Sequence, residues 1–125
     1  LLIDRGADVD TGSKTGSTPL HWAAGQNAAA AMCLLIAKGA KVDARNKKGW
    51  TPLYFAAEQN ASDAVRLLIE NGADVDKYVI IDGFGYTPLL TATQHNSAEA
   101  ARILIEKGAN TDGIDLSWMD DQEDA

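Results

Sequence analysis

The chain has 125 residues, 46% of them hydrophobic and 6% aromatic, and a formal net charge of −7. This size and composition suit one globular domain built on small aliphatic side chains and are unlike those of a disordered chain. No apolar run approaches the roughly 20 residues that cross a bilayer, and the single cysteine, Cys33, excludes an internal disulfide. We therefore expect an intracellular protein, cytoplasmic or nuclear, without a membrane partner.

The negative charge is concentrated at the end of the chain. Residues 113–125 hold five acidic side chains and no basic one, so residues 1–112 are nearly balanced, with 11 basic and 13 acidic side chains. A phosphate-binding surface needs a basic stripe. The basic residues cluster in one place only, at Lys38, Lys41, Arg45, Lys47 and Lys48. Nucleic-acid binding is thus the weakest hypothesis, and we expect no nucleic-acid partner.

The chain begins with a segment that recurs. Residues 1–10 read LLIDRGADVD, and close relatives of this segment stand at residues 34–43, 67–76 and 103–112. Because it matches the second half of a repeat, we predict a partial repeat over residues 1–11 in a piece of a longer protein. The alternative is a natural half-repeat that caps the stack.

Full repeats are predicted for residues 12–43, 44–76 and 77–112. Each contains Thr-Pro-Leu, and successive threonines are 33 and then 36 residues apart. Thr caps the first amides of a helix and Pro fits its first turn. Asn should end each first helix and Gly each second helix, because both residue types adopt left-handed cap conformations. The predicted caps are Asn27, Asn60, Asn96, Gly39, Gly72 and Gly108.

The last two predicted segments depart from this pattern. Three extra residues lengthen the linker over residues 77–84, at a closure cost of only tenths of a kcal/mol. After residue 112 the Thr-Pro-Leu pattern fails, and we predict a C-terminal cap and acidic tail over residues 113–125. Leu116, Trp118 and Met119 should fold back over the last repeat, and residues 120–125 should form the solvated tail.

These residues resemble the ankyrin repeat, whose signature is Thr-Pro-Leu-His-x-Ala at a period of 33 residues. The resemblance covers residues 1–112 and implies an all-α solenoid of stacked helix-turn-helix units with β-hairpin-like fingers. It also implies a protein–protein interaction module, a scaffold or adaptor without catalysis, that binds a partner protein through finger tips and the concave face. The alternative is a regulatory or targeting domain of a larger enzyme or effector whose catalytic part lies outside this chain.

The resemblance also places candidate partner-binding residues. We expect Trp50 and Tyr86 to be anchors, because aromatic side chains near the centre of an interface carry much of its binding energy. The alternative for the apolar run from Val79 to Ile81 is that it packs on the protein itself. The predicted binding residues are Trp50, Tyr86, Tyr78, Phe84, Ile80, Lys47, Asn46, Gln59, Glu58, Gln94 and His95.

The sequence contains few candidates for catalytic or metal-binding residues. His21 stands at the histidine position of the family, where it should form local hydrogen bonds that tie helix to turn. His95 has no Cys, Asp or Glu at ligand spacing, and a zinc site needs about four ligands. Cys33 should lie on a second helix, away from the concave side, so a thiol–histidine pair is not expected. We predict no catalytic residue, metal or cofactor.

Two further surfaces remain open. Ala30, Cys33 and Ala37 replace charged residues at matching places of the later repeats, so we expect a monomer with weak self-association through this strip. The alternative is that alanine simply favours the helix. Members of the family resemble targets of hydroxylation at an Asn or Asp of the finger. Asp43 and Asp76 occupy the comparable position, so they are candidates for that modification.

Overall fold

The computed structural model describes residues 16–118. The predicted partial repeat, Met119 and the acidic tail lie outside these residues. The described part forms three helical hairpins, with a short β-hairpin before the third. In chain order these elements are α1 (Pro19–Gly25), α2 (Ala29–Ala37), α3 (Pro52–Glu58), α4 (Ser62–Glu70), β1 (Val79–Ile81), β2 (Phe84–Tyr86), α5 (Pro88–Gln94) and α6 (Ala98–Glu106).

A threonine and a proline begin each first helix. The Oγ1 atoms of Thr18, Thr51 and Thr87 accept the backbone N–H three residues later, at 3.4, 3.2 and 3.1 Å. Each of these threonines has an extended backbone, and proline occupies the first turn. The capping predicted from Thr-Pro is therefore confirmed in all three hairpins.

The predicted helix ends are also confirmed. Asn27, Asn60 and Asn96 each have a backbone φ of 56°, and the glycines that follow the second helices have a φ of 98°. The left-handed region favours these two residue types. The turns are thus specified by the local sequence.

Two of these asparagines also connect neighbouring repeats. Asn27 Oδ1 accepts the backbone N–H of Ala64 at 2.9 Å, and Asn60 Oδ1 accepts that of Ala100 at 3.0 Å. The residues preceding α4 and α6 make no side-chain cap of their own. An asparagine of one repeat therefore caps the second helix of the next, which satisfies an otherwise unpaired amide.

Stacking of the hairpins supplies the core. The first helices pack in one row, α1 on α3 on α5, and the second helices in another, α2 on α4 on α6. The leucines of the three Thr-Pro-Leu segments, Leu20, Leu53 and Leu89, are fully buried, and small alanines surround them. Each hairpin therefore buries its apolar face against its neighbour, as expected for a repeat stack.

The two linkers between hairpins, called here the second finger (residues 44–50) and the third finger (residues 77–86), differ in structure. The second finger is a tight loop without regular strands. The third contains β1 and β2 in antiparallel register, with Val79 opposite Tyr86. Asp82 and Gly83 at its tip both have positive φ, as a two-residue hairpin turn requires. Val79 is fully buried, whereas Ile80 is 57% exposed, so the apolar run is only partly covered.

The chain after α6 returns to the core. Ile114, Leu116 and Trp118 are half-buried and pack against the hydrophobic cluster. Asp115 Oδ1 accepts the backbone N–H of Ser117 at 2.9 Å, and this bond lowers the pKa of the Asp115 carboxyl. These three side chains therefore cover part of that cluster, and the C-terminal cap over residues 113–125 stays a prediction.

Candidate functional site

A groove of about 430 Å³ opens between α1, α3 and the second finger. Its walls combine large aromatic rings with amide, carboxylate and ammonium groups. The lining residues are Ser17, Trp22, Gly25, Gln26, Asn46, Lys48, Trp50, Phe55, Glu58 and Gln59.

Repetition of the sequence explains why these residues meet. Residues three and four apart on a helix share one face, so Trp22 lies beside Gly25, the last residue of α1, and beside Gln26, which directly follows it. The same face recurs 33 residues later on α3. The resulting pairs of equivalent positions are Ser17 and Trp50, Trp22 and Phe55, Gly25 and Glu58, and Gln26 and Gln59.

The third repeat does not continue the aromatic wall. Its residue equivalent to Trp22 and Phe55 is Thr91, which is small and buried. Thr91 Oγ1 has no partner at hydrogen-bonding geometry, although it is near enough to the Tyr54 hydroxyl to lower its pKa; burial has the larger effect and raises that pKa. The aromatic groove therefore belongs to the first two described repeats.

Phe55 is the centre of the aromatic wall. Its ring centroid is 6.3 Å from that of Trp22 and 5.5 Å from that of Trp50, and both pairs meet edge to face at 76°. Trp50 also packs on Tyr54, with centroids 4.9 Å apart. Trp22 remains 50% exposed. The groove thus presents aromatic surface that the protein itself leaves partly uncovered.

His21 holds the second finger in place. Its Nδ1 accepts the backbone N–H of Thr18 at 2.9 Å, so Nε2 carries the proton and donates it to the carbonyl oxygen of Trp50 at 2.7 Å. Burial lowers the pKa of His21, which favours this neutral form. The predicted local hydrogen bonds are confirmed, and a bond to the next finger is added to them.

Asn46, one of the predicted partner-binding residues, is among the residues that line the groove. The side chain is buried, and its Nδ2 donates to Ser17 Oγ at 3.0 Å. Its Oδ1 accepts the backbone N–H groups of Lys48 and Trp50, at 2.9 and 3.0 Å. Because these bonds use both ends of the amide, Asn46 shapes the second finger and positions Trp50.

The polar end of the groove brings three predicted residues together. Glu58 Oε1 accepts a hydrogen bond from Gln59 Nε2 at 3.2 Å, and Glu58 Oε2 lies 3.8 Å from His95 Nε2. His95 Nδ1 donates to the carbonyl oxygen of Thr91 at 3.0 Å, so its Nε2 carries a proton only in the charged ring. Gln94 is exposed one residue before His95.

The structure places Lys48 in the groove and Lys47, the predicted residue, outside its lining. The Nζ atom of Lys48 lies 5.1 Å from the centre of the Trp50 ring. This distance is within the range of a cation–π contact. Lys47 is exposed elsewhere on the second finger.

The remaining predicted aromatic residues lie on the third finger. Tyr78, Ile80 and Phe84 are 53%, 57% and 70% exposed, whereas Tyr86 is half-buried. Tyr78 lies over Gly85, where a Cβ atom would be 3.4 Å from the ring. The third finger therefore presents an exposed apolar surface that is not part of the groove lining.

Sequence reasoning missed Trp22, Phe55 and Lys48. A signal for the first two was available: they occupy the variable position of Thr-Pro-Leu-His-x-Ala in successive repeats, and both are large aromatic residues. No pattern separates Lys48 from Lys47, because the direction of each side chain depends on the irregular loop between them.

The other candidate residues are placed as follows. Ala30, Cys33 and Ala37 are exposed on α2. The Asp43 carboxylate accepts the backbone N–H of Asp74, at 3.1 Å from Oδ2, and Asp76 Oδ1 accepts that of Asn110 at 2.9 Å. Both aspartates thus join the segments that follow successive second helices.

Several comparisons bear on identity. Within residues 16–118, no group of three His, Cys, Asp or Glu residues is arranged to hold a metal ion, and no helix is long and apolar enough to span a bilayer.

A family model described as ankyrin repeats in three copies matches residues 1–79 and again residues 34–115. No curated protein matches the chain. Ankyrin repeats are generally protein–protein interaction modules and typically non-catalytic. This chain belongs to the ankyrin-repeat family.

Proposed function

We propose that this chain binds a partner protein through the aromatic groove and the exposed face of the third finger. The observation that carries the proposal is the half-exposed ring of Trp22, which faces Phe55 within a groove of about 430 Å³. Enrichment in aromatic side chains, with polar groups at the rim, is typical of protein–protein interfaces. Aromatic side chains are also the commonest sources of binding energy at protein interfaces.

Hydrogen bonds within the chain position the walls of the groove. Trp50 is fixed through its backbone, since its N–H donates to Asn46 Oδ1 and its carbonyl oxygen accepts from His21 Nε2. Phe55 lies on a helix whose start is capped by Thr51. A rigid site loses little conformational entropy on association, so more of the contact energy contributes to affinity.

The third finger extends the proposed surface. Tyr78, Ile80 and Phe84 are exposed large apolar side chains, and a partner would remove them from water. Tyr86 joins this region to Tyr54, whose pKa it helps to raise and whose ring packs on Trp50. We place the exposed predicted residues Lys47, Gln94 and His95 at the polar rim of the same surface.

Affinity capture with two matched variants tests this function. Trp22→Ala removes one wall of the groove and leaves the buried core intact, since Trp22 is half exposed. Arg66→Ala is the control, because Arg66 is exposed on α4 and its ion pair with Asp63 is long, at 3.9 Å. Partners captured from cell lysate by the wild type and by Arg66→Ala should be lost from Trp22→Ala.

Thermal unfolding of both variants separates binding from folding. We expect each variant to unfold within a few degrees of the wild type, because neither residue belongs to the buried core. If Trp22→Ala is folded and captures every partner that the wild type captures, the groove is not the binding surface.

A further inference from the structure

We infer that the groove receives a cationic side chain, a lysine or arginine of the partner protein. This inference rests on the proposed function and names the chemistry of the group that enters. Charge complementarity carries it, because the groove combines three aromatic rings with the carboxylate of Glu58. An aromatic wall beside a carboxylate is the arrangement that favours an ammonium or guanidinium group over a neutral one.

The first support is a cation that the protein already holds. Lys48 Nζ lies 5.1 Å from the centre of the Trp50 ring, and Lys48 is itself a lining residue. The ring face of Trp50 is therefore accessible to an ammonium group from the groove side. Tryptophan is the aromatic residue that attracts cations most strongly.

The second support is the position of Glu58. It follows Phe55 by three residues on α3, so the carboxylate and the ring share one helix face. The Glu58 side chain is 25% exposed, and its two neighbours are the neutral amide of Gln59 and the imidazole of His95. Neither neighbour is a permanently charged group. An incoming cation would thus meet a partly buried anion, where attraction exceeds that of a fully solvated pair.

Lys48 gives the inference a distinctive consequence. If a partner's cation takes the face of Trp50, Lys48 must leave it and return to water, which its exposed position permits. The resident ammonium then acts as a competitor of like charge. An apolar occupant would not be opposed by this charge, so removal of Lys48 distinguishes the two cases.

A pair of short peptides is the direct probe. Acetylated and amidated Gly-Ser-Lys-Ser-Gly is compared with the same peptide carrying norleucine, which has a similar length and no charge. Binding is followed by the indole N–H signals of the three tryptophans in ¹H–¹⁵N spectra. We expect the lysine peptide to shift the Trp22 and Trp50 signals at a concentration about tenfold lower than the norleucine peptide needs for the same shift. The Trp118 signal serves as the internal reference.

Three variants complete the test. Glu58→Gln should weaken lysine-peptide binding about tenfold, and Lys48→Gln should strengthen it about threefold. Arg66→Gln, on the outer side of α4, should leave it unchanged. Folding is checked by thermal unfolding; the Glu58 carbonyl oxygen, which accepts from Ser97 Oγ at 3.3 Å, is retained in Glu58→Gln.

Two results would overturn the inference. Equal or tighter binding of the norleucine peptide at Trp22 and Trp50 would show that the groove takes an apolar side chain, and the proposed function would stand without the cation. An absence of shifts with both peptides at about 20 mM would show that the groove receives neither side chain. The capture experiment with Trp22→Ala then decides separately whether the groove binds a protein.

Discussion

At the scale of single residues, His21 and Asn46 show that polar side chains position an aromatic wall of the groove. Both are buried, and both act on the second finger: His21 binds the Trp50 carbonyl oxygen, and Asn46 binds the Trp50 amide. Their loss would therefore affect the position of an aromatic wall as well as the stability of the fold. The neutral state of His21 is part of this structure, because the ring accepts one hydrogen bond and donates another.

The lowered pKa of His21 predicts that stability falls on acidification. The unfolded chain takes up a proton at His21 near pH 6.5, and the folded chain does so only at lower pH. The contribution of neutral His21 to the free energy of unfolding is therefore complete above about pH 6.5 and is lost as the pH falls below it. Urea unfolding at pH 7.5 and pH 5.5 measures the effect. The wild type should lose more free energy of unfolding than His21→Gln, by at most about 1.4 kcal/mol. Equal losses in the two proteins would contradict the assignment.

Single residues were also where sequence reasoning was least accurate. The role of His21 followed from its place in the repeat pattern, but Asn46 was assigned to the surface although it is buried. Side chains in an irregular finger have no periodicity, so their direction depends on hydrogen bonds formed only in the folded loop. Trp22 and Phe55, in contrast, lie on helices, and a comparison of equivalent positions could have identified them.

At the scale of elements, hydrogen bonds across repeats fix the stacking of the second helices. Asn27 and Asn60 combine two tasks: each ends its own first helix in the left-handed conformation, and each caps the second helix of the next repeat. A glycine would perform the first task only. The sequence predicted the turn at these positions, because Asn is a common C-terminal cap. The second task was not predictable, since it joins residues 37 and 40 positions apart.

Replacement of these asparagines by glycine separates the two tasks. Asn27→Gly keeps the turn and removes the bond to Ala64, whereas Asn96→Gly changes an equivalent turn whose side chain caps no helix among residues 16–118. We expect Asn27→Gly to lower the free energy of unfolding by about 1 kcal/mol more than Asn96→Gly does. Chemical denaturation of both variants measures the difference. Equal changes would mean that the bond across the repeats contributes no net stability.

The third finger shows the limit of prediction at this scale. The extra residues in this linker were evident from the spacing of the threonines, and a hairpin-like finger followed from the resemblance. The structure adds the register and the burial of Val79 beneath an exposed Ile80. Alternation along a strand explains this split, since successive side chains point to opposite faces. The run therefore packs on the protein at Val79 and leaves Ile80 exposed, and its binding of a partner stays a prediction.

At the scale of the whole molecule, the repeat pattern determines the architecture, and differences between repeats determine the surface. The Thr-Pro-Leu segments and the capping residues predicted the stacked hairpins correctly, because they act locally and recur with one period. The groove arises from residues that differ between the repeats. The same variable position holds Trp22 in the first described repeat, Phe55 in the second and Thr91 in the third. The aromatic wall therefore lies between α1 and α3.

Self-association is a separate prediction at this scale. Ala30, Cys33 and Ala37 are exposed on α2 and form a small, uncharged strip. If this strip makes a weak contact between copies, the average mass from sedimentation equilibrium under reducing conditions should rise with protein concentration. Ala30→Glu, which adds a charge to the strip, should abolish the rise. A constant monomer mass in both proteins would instead favour the view that alanine at these positions serves only the helix.

The most direct test of the groove as the binding surface uses Gly25, which lies on its floor beside Phe55. A Cβ atom at Gly25 would lie 3.7 Å from Phe55 Cδ2, an ordinary contact, so Gly25→Ala should fold well and leave the groove open. Gly25→Gln adds a longer side chain that occupies the groove, and both replacements favour the helix over glycine. The measurement is the equilibrium affinity of a captured partner for the two variants. We predict that Gly25→Ala binds the partner with an affinity within about twofold of the wild type, and that Gly25→Gln binds it at least about tenfold more weakly. Neither variant should be less stable than the wild type. Equal affinities for the two folded variants would contradict the account.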